Sequence, residues 1–357
     1  MMSKRLLVLT KYARLGASSR MRFLQYFPFL VQQGFELTHQ AFISDGMLKC
    51  RYDTKKYRFL DTLRCYWLRI LILMKAKHYD LVWIQAESLP YFPAFIELFF
   101  LRKTRFVLEY DDAIFHNYDQ HRLFLIRFLF GRRLDRLMNK AALVIAGNAY
   151  LAQRARDAGC KRVEIIPTVV DLTRYEVKLD DHKINQPLKI VWIGTQSTVK
   201  YLHNLKPILR KVYKTQPFIL RVIGACLEDD LLDIECLSWS EKAEATDIRN
   251  ADIGIMPLMD SCWERGKCGY KLIQYIACGL PVIGSAVGVN VDIIENGNCG
   301  FLAETTKDWE NTLSKLLASR KLRVDFGLNG RCIAESDYSM QAQQPRLVSL
   351  LKSVCEC

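Results

Sequence analysis

Short apolar, β-branched runs recur along the chain with longer stretches of helical periodicity between them. KRLLVLTKY, DLVWIQ, RFVLEY and ALVIAG are the clearest in the first half, and KIVWIG, FILRVIG, ADIGIMP and LPVIGS in the second. Such strands are apolar on nearly every residue rather than on alternate ones, so both faces must be covered. Parallel sheets clothed by helices meet that demand. The 357 residues, 50% hydrophobic, suffice for two separate cores. The reading is an α/β chain of two Rossmann-like, doubly wound domains facing a central cleft, where ligands of such sheets bind. VEIIPTVVDLTRY closes the first series and the polar EVKLDDHKINQP precedes the second. The boundaries follow as residues 1–175, a linker at about 172–187, and a second domain over 188–335 with TKDWENTLSKLLAS as its final helix. Residues 336–357, helical in pattern from Tyr338 to Val354, are expected to pack back across both domains.

Charge separates the halves. Residues 1–180 hold 30 Lys and Arg against 17 Asp and Glu, and the rest hold 21 of each, so the whole net charge of +13 belongs to the first half. That asymmetry calls for a polyanionic partner, and no helix-turn-helix, RNP or zinc pattern accompanies it to favour nucleic acid. Lys49, Arg51, Lys55, Lys56, Arg58, Arg64 and Arg69 are interleaved with Tyr57, Phe59, Tyr66, Trp67 and Leu68, and HRLFLIRFLFGRRLDRL has the same character. Basic and aromatic residues mixed in this way suit an anionic membrane surface. The competing reading makes the aromatics core and the charges an ordinary wet face. No run reaches the length of a membrane span, and the apolar stretch near the start is too short for a secretory signal. The expected location is therefore cytoplasmic, peripheral at the inner face of the membrane. The twelve cysteines show no Cys-x-x-Cys and the six histidines no ligand spacing, so reduced thiols and no metal site are expected.

Candidate binding residues lie in segments that follow strands. ARLGASSRMRF follows the first strand and offers Gly16, Ser18, Ser19, Arg20 and Arg22, but it lacks G-x-G-x-x-G and so disfavours a dinucleotide. Asp111 and Asp112 follow RFVLEY; Asp112 reads equally as a helix cap, and Asp111 as a carboxylate facing the cleft. Gly194, Thr195 and Lys200 follow KIVWI, where small residues let backbone amides approach a phosphate. In ERGKCGYKLIQYIACGLP, Glu264, Arg265, Lys267, Gly269 and Lys271 gather at the start of an apolar helix, whose free N–H groups and dipole favour an anion.

KLIQYIACGLPVIGSAVGVNVDIIENGNCGFL resembles the donor-domain signature of GT-B glycosyltransferases of the family 4 type. IIPTVVDLTRY resembles that family's interdomain passage, and DDAIF, IAGNAYLAQRA and the Glu-Arg-Gly-Lys-Cys-Gly run resemble a bacterial branch of it. The family carries two glutamates separated by seven residues, where this chain has Gly266 and Gln274. Gln274 would meet the nucleotide ribose without a charge-assisted bond, and Glu264 is the nearest carboxylate to replace the first glutamate.

The resemblance implies an enzyme, retaining and without a metal or other cofactor, that moves a sugar from a nucleotide-diphosphate sugar to a saccharide or lipid-linked acceptor in cell-surface polysaccharide or glycolipid synthesis. Lys267, Lys271 and the amides near Gly269 would steady the departing diphosphate, with Gly194, Thr195 and Lys200 opposite. Asp111 takes the place of a histidine that faces the transferred sugar in relatives. A catalytically inactive subunit or a nucleotide-sugar epimerase on the same fold are the alternatives.

Overall fold

The structure is a computed structural model that describes residues 3–177 and 186–356; residues 178–185 of the expected linker lie outside it. The chain divides into two units, one of Met1–Thr168 with Gln343–Cys357, the other Val169–Ala342.

The first unit holds a six-stranded parallel sheet: β1 (Lys4–Tyr12), β2 (Phe35–Ile43), β3 (Leu81–Gln85), β4 (Phe106–Tyr110), β5 (Leu143–Ala146) and β6 (Val163–Ile165), in the order β2-β1-β3-β4-β5-β6. Leu6, Leu7, Val8 and Leu9 of β1 are all fully buried, which is why that run is apolar on successive residues. β1 pairs in parallel with β2 on one side and β3 on the other, so the strand order reverses beside it. Two helices of this unit begin where a polar side chain caps them. Ser44 accepts from Met47 N ahead of the helix Asp45–Thr54, and Asn148 from Leu151 N at 2.9 Å ahead of Ala149–Asp157.

The second unit repeats the plan with β7 (Leu188–Ile193), β8 (Phe218–Ile223), β9 (Asp233–Leu237), β10 (Ile253–Met256), β11 (Val282–Ser285) and β12 (Gly300–Ala303), ordered β12-β11-β10-β7-β8-β9. Alternate residues of β7 serve opposite cores: Ile190 and Trp192 pack with Leu202, Leu209 and Leu313, and Val191 and Ile193 with Leu272, Tyr275 and Ile276. The strand order reverses between β7 and β10, and the helix Tyr270–Ala277 is fastened there. Tyr275 Oη accepts from Ile193 N at 3.0 Å, and its ring lies where a Cβ on Gly254 would stand.

One element departs from the sequence reading. The helix Thr306–Ala318 is not the last of the second unit, because Arg320–Ser336 forms another. Its two glycines and several arginines mask an apolar pattern. Gly327 lets it approach the carbonyl of Gly279, and Gly330 lets it approach Ile276. The helix Met340–Glu356 follows, and its residues from Gln343 onward cluster with the first unit.

Candidate functional site

In the second unit the residues converge on the C-terminal ends of β7 and β10. The turn after β7 is tied by Thr198 Oγ1, which accepts from Thr195 N at 3.1 Å, and the helix Val199–Tyr213 starts directly after it. Gly194 carries no side chain because the Trp192 indole and Thr198 Oγ1 occupy that space. Lys271, second residue of its helix, holds its ammonium 4.3 Å from the centre of the same indole. Among the described residues no carboxylate pairs with it. Burial, aided by repulsion from Lys267, pushes its pKa down to about 7. A cation withdrawn from water and left without a counter-ion stands ready for an anionic ligand.

Gly269 enters this helix with φ 64°, a left-handed conformation, and a Cβ there would overlap Ile293 Cδ1. Glu264 lies in the short helix Cys262–Arg265 and is buried. It accepts hydrogen bonds from Tyr201 and Ser261. Burial works to raise its pKa, but those hydroxyls outweigh it and hold the carboxyl below its ordinary value. Lys200 rests 5.0 Å from the Tyr201 ring centre, which places it beside Glu264's partner. Gln274 is also buried; its Nε2 donates to Tyr175 Oη at 2.8 Å, and Tyr175 donates to Glu244 at 3.2 Å. Trp239 Nε1 donates to the other Glu244 oxygen at 2.8 Å. Gly194, Thr195, Lys200, Glu264, Lys267, Gly269, Lys271 and Gln274 therefore all belong to one unit. Sequence reasoning passed over Trp192, Tyr201, Tyr175 and Glu244. Aromatic residues in or beside apolar runs read as core, and only tertiary contact reveals their partners.

Gly16 and Asp111 lie in the first unit, at the C-terminal ends of β1 and β4. Ser19 and Arg22 serve as internal ties. Ser19 Oγ accepts from Tyr12 N at 3.0 Å and donates to Gln85 at 2.7 Å; Arg22 pairs with Glu109 at 2.6 Å and donates to the Ile166 carbonyl at 2.9 Å. Burial raises the Asp111 carboxyl above its usual range, opposed by Arg22 and by a hydrogen bond from Ser18. Asp112 caps no helix: the next one, His116–Asp119, begins after Phe115.

The apolar and basic patches prove mixed. Phe59, Trp67 and Leu68 are exposed, Trp67 at 62%, and so are Phe124, Leu125, Phe128 and Leu129. Arg69 is instead buried and donates to the Thr10 carbonyl at 2.8 Å, and Arg133 is buried between Glu87 and Glu97. These two charges belong to the core and not to a surface. Among the described residues no helix is long and apolar enough to cross a membrane.

Two doubly wound parallel sheets of six strands define the GT-B fold of glycosyltransferases. Residues 176–332 match the family Glycosyl transferases group 1. Spore coat protein SA of Bacillus subtilis (strain 168) is 27% identical over 195 residues, and the chain spans about half the length of this curated relative, with 50% of each covered. Anabaena Alr3699/HepE, solved in complex with UDP-glucose, superposes with a TM-score of 0.73 at 15% identity over 98% of this chain and 100% of that one. WaaG, a glycosyltransferase involved in lipopolysaccharide biosynthesis, gives 0.67 at 15% identity over 97% and 99%. Sucrose-phosphate synthase from Thermosynechococcus elongatus gives 0.71 at 12% identity over 99% of each chain.

Proposed function

We propose that this chain transfers a sugar from a nucleotide-diphosphate sugar, with the diphosphate held in the second unit, to a saccharide or lipid-linked acceptor bound by the first. The observation that carries the reading is Lys271: a desolvated ammonium over an indole, with no carboxylate partner among the described residues, beside the Gly194 turn and the start of its own helix. Lys267, Lys271 and the amides following Gly269 supply the charge that steadies the leaving diphosphate, so the step is assigned no metal or other cofactor. Lys200 and the Thr195 turn contribute from the end of β7. Gln274, its amide spent on Tyr175, offers Oε1 to a ribose hydroxyl. Glu264 is kept ionised by two hydroxyl donors and orients the sugar. In the first unit, Asp111 and the backbone at Gly16 are the groups proposed for sugar contact. Retention at the anomeric carbon follows the same family reading, as does a role in cell-surface polysaccharide or glycolipid synthesis at the inner face of the membrane. The UDP-glucose bound by HepE makes UDP-sugars the first donors to test.

A thermal-shift series with nucleoside diphosphates and their sugars tests this directly, since a ligand bound only by the native state raises Tm. A shift with one nucleoside diphosphate, followed by product formation that survives EDTA with retained configuration by NMR, is expected. Activity lost in chelator and restored by magnesium or manganese would overturn the metal-free account, and an inverted product would overturn retention.

A further inference from the structure

The first unit contains a cavity of about 560 Å³ beside the helix Phe59–Met74, lined among others by Gln40, Phe42, Arg58, Asp61, Arg64 and Leu68. At about 100° per residue, that helix shows three distinct faces. Arg69 points into the core. Leu60, Leu63, Trp67, Leu71 and Met74 form an outward apolar ridge, all of them exposed. Asp61, Arg64 and Leu68 lie on the strip between the two, which is the cavity wall. Among the described residues Arg58 and Arg64 make no ion pair, and neither does Asp61. Behind the wall stands Arg69, 1% exposed, held by carbonyls instead of carboxylates: its Nη2 reaches Thr10 O at 2.8 Å and Gln40 O at 3.2 Å. Among the described residues its Nε has no hydrogen-bond partner, nor has the buried Oε1 of the wall residue Gln40. Burial pushes the Arg69 guanidinium down to about 9. The neighbouring helix Ala94–Leu101 packs on this one and adds exposed Phe95 and Phe99 to the apolar surface.

We infer that this cavity receives the phosphate of an anionic phospholipid headgroup, with Arg58 and Arg64 on the phosphate and the Leu60–Met74 ridge in the acyl region. The inference rests on the membrane reading given above and assigns it a site. An apolar ridge without charge, or charge without a ridge, gives only marginal membrane affinity, and here the two are adjacent on one helix. Asp61 is the discordant group. Its carboxylate weakens the hold on a phosphate, so the site favours a headgroup whose hydroxyls can meet it.

The test is sedimentation of the full chain with phosphatidylcholine vesicles with and without phosphatidylglycerol. Wild type is expected to pellet only with the anionic vesicles. Affinity should fall about tenfold or more in Arg58→Ala/Arg64→Ala, fall less in Lys55→Ser/Lys56→Ser, and rise in Asp61→Asn. Trp67→Ser/Leu71→Ser should also release the protein, and circular dichroism establishes that each variant is folded. If the arginine pair binds anionic vesicles like wild type, the cavity assignment is overturned while the membrane reading stands. If wild type binds no vesicle, both are overturned, and the nucleotide thermal shift still reports separately on the donor site. If inorganic phosphate raises Tm through Arg58 and Arg64 without any vesicle binding, the cavity is a free-phosphate site and the lipid assignment is overturned.

Discussion

Lys271 makes opposite demands on stability and binding. Its pKa falls from an ordinary 10.5 to about 7 on folding. Between those values the unfolded chain holds more protons than the folded one, so ligand-free stability rises with pH across that window. Below about 7 both states are protonated, and the cost of the buried charge is fully present. Lys271→Met is therefore expected to raise the ligand-free Tm at neutral pH by about 2–4 °C and to flatten its rise toward alkaline pH, measured by calorimetry across the pH series. The same variant, and Lys271→Ala, should weaken nucleoside-diphosphate binding about tenfold or more, the scale of a charge-assisted phosphate contact. Wild-type affinity should decline as pH rises through the pKa of the free enzyme. A variant with lower Tm and unchanged affinity would place the ammonium outside the donor site. The lysines and Gly269 were legible because a basic, glycine-led helix start is a local pattern. Trp192 beneath the ammonium, and Tyr175 on Gln274, were not, since a strand residue and one 99 positions away meet their partners only in the folded chain.

Gly269 shows how an element is held to the site. Alanine there would keep a left-handed backbone, at about 1–2 kcal/mol, and would press on Ile293 in the helix Val289–Gly297. Gly269→Ala is expected to destabilise the chain by about 1–3 kcal/mol in urea unfolding and to weaken nucleoside-diphosphate binding with it; unchanged binding would show that the helix start does not touch the ligand. Among the strands, the sequence was read unevenly for a physical reason. All eight runs singled out from the sequence are interior strands: β1, β3, β4 and β5 in one sheet, β7, β8, β10 and β11 in the other. The four outside those eight, β2, β6, β9 and β12, are the sheet edges. Edge strands are covered incompletely and carry polar residues, as in FELTHQAFI and DIECL, so the apolar run that marks a buried strand is missing.

At the scale of the whole molecule, the first unit is discontinuous in sequence. Residues from Gln343 onward belong to it, after the entire second unit has intervened. They contribute buried Leu347, Val348, Leu350, Leu351 and Val354, and Arg105 and Arg162 bind the Val354 carbonyl and the Ser353 hydroxyl, each at 2.9 Å. Five such side chains, each contributing about 1.5–3 kcal/mol when buried, rival the stability of a domain. Removing residues 343–357 should therefore abolish the melting transition of the first unit while nucleoside-diphosphate binding by the second persists; retention of both transitions would mean that this helix is dispensable. The same discontinuity sets an order of events on the ribosome. Domains form as units while the chain emerges, so residues 169–342 can complete their sheet while the earlier-made strands still lack their last helix. The half of the molecule synthesised first is the half that finishes folding last, and its apolar surface waits uncovered until residues 343–357 arrive.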